Sequence, residues 1–221
     1  MSGHLPLPAL PPFAGEFEIH LTVAARGHGG DLARYAAERA WKYAYIVLDR
    51  GRTPAQPMLT LRAEGTLAAA RGAADAAAAG LRGAGFPVLR TKVEAAPWAD
   101  GVPAHDAEAV ALGPHYYFEH HVKLVLDPGA DTTGLAALAD RHAAHLSRNA
   151  RRTRADGRAE RFVTQRCRRV GRDTAGRRLD ELTAALDGLP CEIASVEREF
   201  VVYDSAESLD QGWIREHEGT A

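Results

Sequence analysis

The sequence predicts an α+β fold in which one strand-helix-strand-strand-helix-strand unit is used twice. Three paired strings carry that expectation. Residues 17–23 (FEIHLTV) are echoed by residues 118–124 (FEHHVKL). Residues 58–62 (MLTLR) are echoed by residues 162–166 (FVTQR), and residues 85–94 (GFPVLRTKVE) by residues 188–197 (GLPCEIASVE). The pairs keep their order at an offset of roughly a hundred residues, which is how a tandem duplication behaves.

Each element of the first unit has a local cause. Residues 17–23 alternate apolar and polar side chains, the mark of a half-buried strand. An Asp opens a helical pattern over residues 31–42. Residues 44–48 are β-rich, residues 51–57 form a turn, and residues 58–63 make the next strand. The alanine-rich stretch 66–81 is a strong helix former, and residues 87–95 close the unit as a strand. The second unit follows with strand 116–126, helix 131–147, a charged loop 150–159, strand 161–170, helix 174–186 and a long strand 191–203. Its second strand has no clear pattern, because residues 147–152 are polar. This order is that of the ferredoxin-like module, whose helices lie on one face of an antiparallel sheet. The expected division is an extended N-terminal segment 1–15, a first module 16–105 and a second module 106–221, the two modules forming one compact unit.

Composition bounds the function. The chain has 221 residues, of which 46% are apolar, enough for a real core. Its net charge of -2 argues against a general nucleic-acid or membrane-surface binder. No apolar run is long enough to span a bilayer. The proline-rich start lacks the basic and apolar regions of a signal peptide. Cys167 and Cys191 have no metal or redox spacing, so two reduced thiols and a cytoplasmic location are expected. The Gly27-His28-Gly29-Gly30 run reads as a turn before the first helix.

Strand parity then sorts the polar residues. Glu18 and His20 share a face with Thr60, Arg62, Lys92 and Glu94. Glu119, His121 and Lys123 share one with Thr164, Arg166, Glu197 and Glu199. Two such sheets, face to face or side by side, would enclose a polar cleft. Three readings of that cleft follow.

The first is a small-molecule enzyme. His20 or His121 moves a proton, and Glu18, Glu119 or Glu94 sets its tautomer. Arg62 and Arg166 clamp a small anion, a carboxylate or phosphate, with Thr60, Thr164 and Lys123 beside them.

The second reading is a divalent metal ion held by His20, Glu94, His121 and Glu197, since imidazole and carboxylate suit such ions. That ligand order resembles the vicinal-oxygen-chelate enzymes, such as glyoxalases, in which paired modules supply His and Glu to one ion. The resemblance implies a metal-dependent lyase, isomerase or dioxygenase. Those modules lack the second helix expected here. The string His20-Leu21-Thr22-Val23 also resembles the repeated motif of the two-histidine phosphoesterases and implies phosphodiesterase chemistry. Its counterpart, His121-Val122-Lys123-Leu124, carries Lys in place of the hydroxyl.

The third reading is a ligand- or partner-binding protein without catalysis, with Trp41, Trp98, Tyr116 and Tyr117 as possible pocket walls.

Overall fold

Apolar side chains at alternate positions build eight strands, each with one face that must be covered. The computed structural model describes residues 11–25, 29–152 and 154–214. In chain order these form β1 (Ala14–Val23), α1 (Gly29–Ala37), β2 (Lys42–Leu48), β3 (Ala55–Thr66), α2 (Leu67–Gly83) and β4 (Val88–Ala95). After them come α3 (Asp106–Leu112), β5 (Tyr117–Leu126), α4 (Thr133–Arg141), β6 (Ala144–Asn149), β7 (Ala159–Arg168), α5 (Arg172–Asp187) and β8 (Cys191–Asp204). A one-turn 3-10 helix, Glu207–Asp210, follows β8. The class is mixed α+β, with five α-helices among the described residues, none long and apolar enough to cross a membrane.

Every strand pairing is antiparallel, and each half has the same order: β4-β1-β3-β2 in the first and β8-β5-β7-β6 in the second. Neither half stops at its edges. β2 pairs with β6 and β4 with β8, so the eight strands close into one barrel. The two sheets therefore lie side by side, joined at both edges, and the polar faces turn inward. Closure removes exposed edges, except along β8. β4 meets β8 only from Ala95↔Phe200 to Lys92↔Asp204, and residues 191–199 pair with β5 alone among the described residues.

The apolar cores sit outside the barrel, under the helices. Phe17, Ile19, Leu21, Leu59 and Val93 meet Leu67, Ala70, Ala74 and Leu81 of α2. Val122, Leu124, Leu146 and Val163 meet Leu135 and Leu138 of α4, with Leu179, Leu182 and Leu186 of α5. Burying such side chains contributes roughly 1.5–3 kcal/mol each, which lets the barrel interior carry charge.

Several elements differ from the sequence expectation. The helix expected over 131–147 ends at Arg141, and β6 occupies 144–149. Ala143 takes a left-handed conformation, φ 51, which reverses the chain. Ala40 does the same at φ 55 between α1 and β2, so β2 starts at Lys42 rather than Ala44. The link between the halves contains α3, which alternation did not reveal. The Glu108 carboxylate caps it by accepting from the Ala104 and His105 amides. Asp106 accepts from the Gly171 amide at 2.8 Å. Only glycine fits there, because a Cβ on Gly171 would lie 2.3 Å from Ala104 O. Residues 1–10 of the extended lead-in, and Gly27 and His28 of the glycine-rich turn, lie outside the described residues. Phe13, at the end of the lead-in, is buried.

Candidate functional site

The barrel encloses a cavity of about 450 Å3. Its walls come from alternate residues of the strands: Glu18, His20 and Thr22 from β1, Met58 and Thr60 from β3, Arg90 and Lys92 from β4. From the second half come Glu119, His121 and Lys123 of β5, Thr164 and Arg166 of β7, and Glu197 and Glu199 of β8.

Two histidines face this space in matching settings. His20 pairs across β1 and β3 with Thr60, and its Nδ1 shares a 2.9 Å hydrogen bond with Thr60 Oγ1. Its Nε2 donates to Glu94 Oε2 at 2.5 Å. His121 pairs across β5 and β7 with Thr164, and its Nδ1 shares a 3.0 Å bond with Thr164 Oγ1. Its Nε2 lies 3.4 Å from Glu119 Oε1 and 3.3 Å from Glu199 Oε2. Register makes Glu199 the counterpart of Glu94: Glu18 lies opposite Glu94, and Glu119 opposite Glu199. Aligning the two Gly-x-Pro strings instead matches Glu94 with Glu197. β8 begins directly after its proline, ahead of the matching point in β4, so that alignment is out of register. Glu197 lies opposite His121 and is exposed.

Charge differs between the two settings. Lys92 Nζ lies 2.5 Å from Glu119 Oε1 and also 2.5 Å from Glu94 Oε1, the second contact lacking hydrogen-bond alignment. Burial raises both carboxyls, but Lys92 and His20 hold Glu94 far below the carboxylate range, and Arg166 and Lys92 do the same for Glu119. Burial opposes charge on His121, yet hydrogen bonds to Glu119 and Glu199 lift it to about 10. Glu199 behaves otherwise. Burial, then repulsion from Glu94, pushes it up to about 7 despite His121. A cationic imidazole thus stands beside a carboxyl that exchanges its proton near neutrality, the range in which a general acid or base works best.

The two ends of the barrel differ. At one end the cavity opens into a wider space of about 660 Å3 beside residues 196–199 of β8. One side of this mouth is acidic, with Glu16, Glu18, Glu64, Glu197 and Glu199 against Arg62 and Arg198. Trp98, 72% exposed, stands on its rim. The other side carries Lys42, Lys123 and Arg152. Lys123 is paired with Glu160 at 2.9 Å, whereas the Lys42 ammonium has no ion-pair partner among the described residues. The opposite end is closed by the C-terminal segment. Trp213 is buried there and donates from Nε1 to Leu146 O at 2.8 Å. Asp210 is buried there between Arg90 and Arg166.

No described protein family matches the sequence, and no curated protein does. Among solved structures, the regulatory subunit of aspartate kinase from Thermus thermophilus, in its ligand-free form, matches at 13% identity and a TM-score of 0.31, over 80% of this chain and 98% of that one. A mutant chlorite dismutase from Candidatus Nitrospira defluvii matches at 10% identity and a TM-score of 0.28, over 85% of this chain and 91% of that one. A second mutant of that enzyme gives 12% identity and 0.26, over 89% and 93%. Likeness this slight assigns no chemistry, so the side chains must carry the reading.

The structure brings Glu18, His20, Thr60, Glu94, Glu119, His121 and Thr164 to one interior. It does not set Arg62 and Arg166 as a clamp. Arg62 pairs with Glu18 at 2.8 Å on the exposed rim, while Arg166 is buried against Glu119 and Asp210. It does not gather His20, Glu94, His121 and Glu197 as ligands either. Among the described residues, the His, Cys, Asp and Glu groups with ligand atoms within 4.8 Å of one another are Glu18-His20-Glu199 and Glu94-Glu119-His121. Of the suggested aromatic walls, Tyr117 is fully buried and Trp41 packs on the first core. Asp210 could not be found by alternation, because it arrives from a turn outside the strands.

Proposed function

We propose that this chain is a small-molecule enzyme that performs acid–base chemistry inside the barrel on a carboxylate- or phosphate-bearing substrate. We read its two halves as copies of one module. The observation that carries the reading is the His121–Glu199 pair beside the His20–Glu94 pair, in a cavity open at one end. Thr60 and Thr164 fix the imidazole orientations. Glu94 stays ionised and holds the His20 ring by accepting from Nε2. Glu199 takes or gives the proton, and the His121 cation steadies the negative charge that results. Lys42, Lys123 and Arg152 attract the substrate's anionic group to one side of the mouth.

A divalent ion on Glu18, His20 and Glu199 is a second reading, favoured by the closeness of their ligand atoms. It requires His20 to give up Thr60 or Glu94, since both ring nitrogens are engaged. In the other group the Lys92 ammonium already stands between Glu94 and Glu119.

The test is a thermal-shift screen of small carboxylates and phosphate esters, followed by mass spectrometry of each stabilising compound after incubation. Turnover is expected with the wild type and lost in H121A and E199Q, while binding persists. Compounds that bind without any turnover would leave a binding protein. A stoichiometric metal, lost in H20A, would select the second reading.

A further inference from the structure

The closed end of the barrel holds two guanidinium groups that each have a permanent counter-ion and a donor to spare. Arg90 donates from Nε to Asp204 Oδ1 at 2.8 Å and also bonds Asp204 Oδ2. Arg166 donates to Glu119. Asp204 and Glu119 belong to barrel strands. Two further donors, Arg90 Nη1 and Arg166 Nη2, converge on a single atom, Asp210 Oδ2, at 2.8 and 2.6 Å. Gln56 Nε2 donates to Asp210 Oδ1 at 3.0 Å. Asp210 alone among these partners comes from outside the barrel, on the one-turn helix after β8.

We infer that Arg90, Arg166 and Gln56 form a receptor for a carboxylate or phosphate group, and that Asp210 fills it as an internal stand-in which a ligand displaces. Three donors meeting two oxygens is the arrangement a carboxylate or phosphate needs. The side chains of both arginines are over nine-tenths buried, so the receptor is preformed. Asp210, Arg90 and Arg166 also line the same cavity as the histidines. An anionic ligand entering by the open mouth reaches Asp210 from within and pushes the C-terminal segment off the far end. This names an anion subsite for the proposed active site and rests on the reading that the barrel interior is that site.

An internal occupant weakens apparent affinity by the fraction of time it leaves the receptor free. Two measurements follow, with inorganic phosphate as probe. In a W41F/W98F background Trp213 is the sole tryptophan, and phosphate should red-shift its emission as the ring leaves its seat on Leu146, while chloride of equal ionic strength should not. By calorimetry, D210N should bind phosphate about tenfold tighter than the wild type or better. D210A should follow, and D210N keeps the test open if D210A does not fold. The H20A/H121A double variant should retain the phosphate response, so failure of the acid–base reading and failure of the receptor are seen separately. A wild type whose Trp213 ignores phosphate, or a folded D210N that binds it no tighter, overturns the proposal.

Discussion

The two halves of the barrel place His, Thr and Glu at matching register positions yet hold the glutamates Glu94 and Glu199 in different charge states. Opposite His20 stands Lys92, and opposite His121 stands Glu197. In the first half the ammonium reaches Glu94 and crosses to Glu119, so both carboxylates are fixed anions. In the second half no lysine occupies that place. Glu199 then has the His121 imidazole, and the His20 imidazole nearby, as its favourable partners, and Glu94 as a repelling neighbour. Lysine at one register position and glutamate at the matching one thus accompany a carboxylate held as an anion in the first half and a carboxyl that burial and Glu94 push up in the second.

The largest test of this contrast removes the lysine. K92M leaves two carboxylates buried without their shared cation, and breaking a buried ion pair costs about 3–5 kcal/mol. Urea unfolding should show a loss of that size. A loss under about 1 kcal/mol would mean that Lys92 does not hold the first half together.

The next test converts the second half toward the first. E197K should place an ammonium near Glu199 and lower its midpoint, read by carbon NMR of the labelled carboxyl, by about one pH unit or more. An unchanged midpoint would separate Glu199 from position 197. Stability should carry the same signature. Folded Glu199 keeps its proton to about 7, whereas its ordinary value is 4.5. Between those values the folded state binds the extra proton, so this group's contribution shrinks as pH rises through the window. His121, at about 10 against 6.5, contributes fully below 6.5 and loses its share as pH climbs toward 10. The lowered Glu94, Glu119 and Asp210 act oppositely, contributing above their ordinary values of 4.5 and 3.8 and failing in acid. The wild-type unfolding free energy should therefore decline from about pH 5 to about pH 9, and E199Q should flatten the part below 7, on the order of 2 kcal/mol. A wild type that gains stability across that range would contradict both assignments.

Much of this was legible in the sequence, and the rest has physical reasons for being hidden. Alternation places Glu18, His20, Thr60 and Glu94 on one face because a strand has period two whatever surrounds it. Barrel closure depends on edge pairings between β2 and β6 and between β4 and β8, which no local pattern encodes. The register of Glu199 was masked by the longer run of β8 ahead of its matching point in β4. Asp210 was invisible because its role is set by two arginines distant in sequence. β6 begins within the helix expected over 131–147 because the turn before it is marked only by Ala143, and alanine favours helices.

That hidden turn supplies the smallest test, one on which the halves should agree. Ala40 and Ala143 both adopt positive φ between the first helix and second strand of their halves. A non-glycine residue there costs roughly 1–2 kcal/mol, while glycine frees the unfolded chain and so adds about 0.5–1 kcal/mol to the entropy lost on folding. A40G and A143G should each raise stability by about 0.5 kcal/mol, measured by thermal unfolding. A143V should lower it by more than about 1 kcal/mol, since a β-branched side chain tolerates positive φ worst. If A40G and A143G shift equally while K92M and E197K do not mirror each other, the halves share a backbone device and have parted only in the charges they face inward. If the glycine variants respond in opposite directions, the two turns are not equivalent, and the register that pairs Lys92 with Glu197 loses its support from the backbone.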